Sequence, residues 1–97
     1  MATFVSLVNW TDQGIKTYRD SLRRAEDYRG LVEQHGGQVR QLVWTLGQYD
    51  VVAVTEFPDD ETATAVALQT GALGNIRTRT MKAFDAEQMN AIIQRTG

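Results

Sequence analysis

The spacing of apolar residues along the chain alternates between every second position and about every 3.6 positions, and the changes of period divide it into elements. From Thr3 to Trp10, Phe4, Val8 and Trp10 share one parity while Val5 and Leu7 take the other, which predicts a strand covered on both faces. Ile15, Tyr18, Leu22, Ala25 and Val32 then recur at helical spacing, with Tyr28 and Leu31 to one side. They predict one long amphipathic helix running to about Gln34, roughly 30 Å in length. Thr11 or Asp12 can accept the free N–H groups of its first turn, and His35-Gly36-Gly37 supplies a stop.

Leu42 to Phe57 reads as two β-rich runs joined at Gly47-Gln48, a hairpin signal because glycine supplies the positive φ that a type II′ turn needs at its first position. With that turn as the loop, Trp44 faces Val51 and Leu42 faces Ala53. Alternation then puts Leu42, Trp44, Leu46, Tyr49, Val51, Ala53 and Phe57 on a core face. The opposite face collects Val39, Val43, Val52 and Val54 among Gln41, Thr45, Asp50 and Glu56, a half-buried pattern.

Pro58-Asp59-Asp60-Glu61 opens a second helix whose small-residue face, Ala63, Val66, Ala67 and Thr70, suits close approach to a sheet. It stops at Gly71-Ala72-Leu73-Gly74. Asn75 to Phe84 alternates as a last strand, and Asp85 to Gln88 resembles a capping box opening a short final helix with Met89, Ile92 and Ile93 inward. The order β-α-β-β-α-β plus a C-terminal helix predicts an α+β, ferredoxin-like domain over residues 1–97. Its four-stranded antiparallel sheet has the first and third strands at the centre. Both helices then lie on one face. The opposite face, rich in valine, is bare, and its cheapest cover is a second copy, giving a dimeric α/β barrel.

Gly47-Gln48-Tyr49-Asp50, followed by Val51-Val52-Ala53-Val54 and Pro58-Asp59-Asp60-Glu61, resembles the GYD domain family, named for the Gly, Tyr and Asp found here at Gly47, Tyr49 and Asp50. Thr11-Asp12-Gln13-Gly14, His35-Gly36-Gly37 and Gly74-Asn75-Ile76-Arg77-Thr78 extend the resemblance to essentially the whole chain. It implies membership of the dimeric α/β barrel superfamily and carries over no reaction.

Composition narrows the chemistry. With no cysteine and one histidine among 97 residues, thiolate chemistry and a multi-histidine metal centre within one chain are excluded, and no metal or other cofactor is expected. A net charge of -2 with mixed signs gives no field for nucleic acid. No apolar run has the length of a membrane span, so the expected address is the cytoplasm. Lys16, Arg19, Arg23, Arg24 and Arg29 interleave with Asp20, Glu26, Asp27 and Glu33, which reads as a solvated helix face.

Few residues suggest catalysis. Tyr49 and Asp50 invite reading as an acid–base pair, but neighbouring strand residues point to opposite faces, which favours a structural role. His35, before the Gly-Gly stop, suits a helix C-terminus better than a base. Trp10 and Trp44, with Tyr18, are expected to fill the sheet–helix core, and an aromatic-walled cavity is the rival reading. Asn75, Arg77 and Asp50 are further candidates for ligand contact, Arg77 and Arg79 otherwise reading as edge-strand charge. The absence of a convincing nucleophile, metal set or paired acid and base favours a homo-oligomeric domain binding a small molecule or protein partner without catalysis. The alternative is a cofactor-independent oxygenase or isomerase with His35, Tyr49 or Asp50 as base. A pocket of roughly 300 Å³ or more, walled by His35 or Asp50, would favour that alternative.

Overall fold

The computed structural model describes residues 1–97. Strand β1 (Ala2–Trp10) leads through helix α1 (Asp12–Lys16), a 3₁₀ turn at Tyr18–Asp20 and helix α2 (Ser21–Gln34) to β2 (Gln38–Trp44). Then come β3 (Val51–Phe57), α3 (Asp60–Ala72), β4 (Ile76–Ala83) and α4 (Ala86–Gln94). The antiparallel sheet has the order β2-β3-β1-β4, so the first and third strands are central as the ferredoxin-like topology requires.

The predicted hairpin register holds, with Trp44 opposite Val51 and Leu42 opposite Ala53. Its turn differs from the expectation. The strands stop at Trp44 and Val51, and residues 45–50 form a longer loop in which Gly47 keeps a positive φ of 126°. The Asp50 N–H is drawn across to the Val8 carbonyl at 2.9 Å, and the Thr45 hydroxyl closes on the Tyr49 carbonyl at 2.6 Å. Leu46, expected in the core, is consequently fully exposed. Val39 also changes sides. A bulge between Val39 and Gln41 inserts Arg40, so Val39 packs against the buried cluster beneath the helices.

The long first helix is broken. In a continuous α-helix the Gly14 carbonyl would accept from the Tyr18 N–H, four residues on. Here it accepts from the Thr17 N–H at 3.3 Å and from Arg24 Nη2 at 3.2 Å. The chain tightens at Thr17 (φ -113°, ψ 34°) and restarts as α2. The Thr11 hydroxyl caps α1, accepting from the Gly14 N–H at 3.1 Å.

The core occupies one end of the space between sheet and helices. Phe4, Val32, Phe57, Ala63 and Val66 bury together, with the two phenylalanine rings edge to face at 6.0 Å. Each large side chain removed from water here contributes about 1.5–3 kcal/mol. Helix α4 carries the expected capping box at Asp85 and Gln88, but Met89 and Ile93 face solvent rather than the core, leaving only Ile92 half-buried. The other face of the sheet carries no helix. Val5, Leu7, Val52 and Val54 line its middle, flanked by Val43 and Met81, which are 40% and 48% exposed.

Candidate functional site

Next to the core, and lined in part by its Phe57, Ala63 and Val66, lies a cavity of about 420 Å³ between sheet and helices. The filled core expected around the two tryptophans does not form, because the break at Thr17 swings Ile15 and Tyr18 outward. Both are about half exposed, and Arg19 stacks over the Tyr18 ring at 5.3 Å. The cavity floor is the helix-facing side of the sheet, with Val8 and Trp10 from β1 and Val51 and Ala53 from β3. Leu42 and Trp44 close the β2 side, and Tyr28 and Leu31 of α2 and Ala67 and Thr70 of α3 form the roof.

Several polar groups interrupt this apolar wall. Ser6 and Thr55 are buried at positions whose parity matches Phe4, Val8, Ala53 and Phe57. The Ser6 and Thr80 hydroxyls lie 3.0 Å apart, and Thr78 continues the chain of hydroxyls at 3.1 Å. Burial pushes the Tyr28 phenol above its ordinary value of 10.0, with the Thr55 hydroxyl opposing the shift, so Tyr28 stays neutral over the working pH range.

One cation stands on the wall without a counter-ion. Along α2, Arg23 pairs with Asp27 at 3.2 Å and Asp20 at 3.6 Å, and Arg29 pairs with Glu26 at 3.8 Å, as a solvated face should. Arg24 makes no salt bridge. Its guanidinium donates only to neutral oxygens, the Thr17 hydroxyl at 2.8 Å, the Gly14 carbonyl at 3.2 Å and the Ser21 hydroxyl at 3.4 Å. Beneath it, α1 presses on the start of β4. A Cβ at Gly14 would lie 2.0 Å from the Asn75 carbonyl oxygen, and that oxygen accepts from the Thr11 N–H at 3.0 Å. Gln13 Nε2 donates to the Asn75 side-chain oxygen at 2.9 Å and to the Leu73 carbonyl at 3.1 Å.

Of the residues singled out from sequence, Trp10, Trp44 and Asn75 meet at the cavity. Arg77 is turned to the open face of the sheet, opposite Asn9. The Asp50 carboxylate accepts from the Trp10 N–H at 2.8 Å, so it pins the end of β1 and lies outside the cavity wall. Tyr49 sits half-buried in the loop before it, also outside the wall. His35 Nε2 is 3.1 Å from Gln69 Oε1, tying the end of α2 to α3 at the core end.

The match to the GYD domain spans residues 4–93. This chain belongs to the GYD domain family. The crystal structure of TTHA0845 from Thermus thermophilus is similar to this GYD domain, with a TM-score of 0.57 and 25% identity over 89% of this chain and 96% of that one. No curated protein matches it. In this GYD domain the Gly-Tyr-Asp segment has a structural role: the loop turns at Gly47, and Asp50 fastens β3 to β1 through backbone and side chain together.

Arg24, Tyr28, Ser6 and Thr55 were not among the residues chosen from sequence. Their signals were present. Arg24 precedes Tyr28 and Leu31 at helical spacing, which puts it on the inward stripe, and Ser6 and Thr55 are polar residues at core-parity positions.

Proposed function

We propose that this GYD domain is a cytoplasmic, homo-oligomeric binding protein that holds a small molecule in the sheet–helix cavity without transforming it. The observation that carries the reading is the cavity itself: about 420 Å³, walled by Trp10 and Trp44, within the size range of ligand sites. The three candidate bases, His35, Tyr49 and Asp50, stand apart from its lining, and two of them are engaged in structural hydrogen bonds. That separation favours binding over the oxygenase or isomerase alternative.

Pairing of two copies through the open sheet face is supported by the apolar character of that face. Strands of seven to nine residues at ordinary rise and spacing give it an area of roughly 450 Å² in projection, a patch size that soluble proteins keep for contacts. Native mass spectrometry of the protein purified from its own host tests the binding reading. A retained small molecule, released on denaturation and absent from an Ala67→Phe variant with the cavity filled, is the expected result. Retention unaffected by Ala67→Phe would overturn the assignment of the cavity.

A further inference from the structure

Building on the reading of the cavity as a binding site, we propose that its ligand is an aromatic monocarboxylate whose anionic end is received by Arg24 and Asn75. Arg24 is the only arginine of α2 with no carboxylate against it, although Asp20, Asp27 and Glu26 lie close by along the chain and neutralise its neighbours. Asp27 reaches the cavity wall as well, but its charge is taken by Arg23. A guanidinium has five N–H donors, and those of Arg24 meet only neutral oxygens, so its charge is directed to whatever enters beside it.

Asn75 adds a second donor at the same place. Gln13 Nε2 donates to the Asn75 side-chain oxygen, which fixes the amide orientation and leaves the Nδ2 hydrogens with no acceptor in the protein. The two residues flank one peptide: Arg24 binds the Gly14 carbonyl while the Gly14 Cα abuts the Asn75 backbone. A cation and an amide donor lining the same cavity suit a carboxylate. A single positive charge suits one anionic group rather than two. Beyond it the walls become apolar, with Trp10, Trp44 and Val51 offering flat and aliphatic surface for a ring.

The two tryptophans of the chain both line the cavity, so their fluorescence reports its occupancy. Titration with naphthoate and with its neutral isostere naphthamide separates charge from shape. Naphthoate is expected to bind about 10- to 100-fold more tightly, the range for a hydrogen bond to a charged group. In Arg24→Met that ratio should fall to near one, whatever the change in naphthamide affinity itself. Equal binding of the two probes by the parent protein overturns the carboxylate proposal and leaves the cavity reading intact. A preference for naphthoate that survives in Arg24→Met overturns the role given to Arg24. Failure of both probes to quench the parent overturns this proposal, while the cavity reading stands or falls on the Ala67→Phe retention test. The comparison on the parent protein stands even if the variant does not fold.

Discussion

Replacing Gly14 by alanine tests the seam where α1 meets the start of β4. The added Cβ would lie 2.0 Å from the Asn75 carbonyl oxygen, which is backbone and cannot rotate away. An ordinary carbon–oxygen contact is about 3.3 Å, so the seam must open by roughly 1.3 Å. Thr11 makes two of the hydrogen bonds that cross it, its N–H to the Asn75 carbonyl at 3.0 Å and its hydroxyl to the Gly74 carbonyl at 2.6 Å. Losing both costs about 2 kcal/mol, and the better helix propensity of alanine returns about 0.5–1 kcal/mol. A net loss of about 1–1.5 kcal/mol lowers Tm by roughly 4–12 °C in a domain of this size. Gly30 is the internal control, since it lies within α2 and a Cβ there meets nothing within 4 Å. Gly30→Ala should raise Tm by a few degrees. Thermal melts followed by circular dichroism at one fixed protein concentration make the comparison, because self-association would couple Tm to concentration. A Gly14→Ala protein as stable as its parent, beside a stabilised Gly30→Ala, would refute the reasoning.

Two further outcomes are expected. Val52→Arg or Val54→Arg puts a guanidinium in the middle of the open sheet face and should weaken pairing of two copies by roughly 100-fold or more, since each copy would bury an unmatched charge; sedimentation velocity showing an unchanged dimer would exclude that face as the contact. Asp59 caps α3 by accepting from the Thr62 N–H and hydroxyl at 2.8 and 2.6 Å, and these bonds hold its carboxyl below its ordinary value of 3.8. The stabilisation is therefore present above the ordinary value and lost as pH falls through the lowered one. Asp59→Ala should unfold at lower urea than the parent near neutral pH, with the gap closing on acidification; a gap independent of pH would contradict the capping account.

The element order and the strand pairing were legible because alternation and helical spacing record which side of each element is covered. Trp44 opposite Val51 and the capping box at Asp85 follow directly from the residues. The cavity was not legible in the same way. It lies beside the break at Thr17, where Arg24, seven residues further on, donates to the Thr17 hydroxyl and the Gly14 carbonyl. No local propensity announces such a contact. The run of alternating charges on α2 concealed it further, because Arg24 differs from Arg23 only in the direction it points. The bulge at Arg40 reversed Val39 for a related reason: one inserted residue flips the parity of all that precedes it, and nothing in Val39-Arg40-Gln41 marks the insertion.

The borders of the sheet limit how this molecule can multiply. On one side β2 is kinked by its bulge, and Arg40 there is tied to Glu56; on the other, β4 carries Arg77 and Arg79. Strand-by-strand growth, which has no natural end, meets irregular geometry at one margin and repelling cations at the other. Both margins thereby discourage addition of further strands, and with it the open-ended growth that leads to fibres.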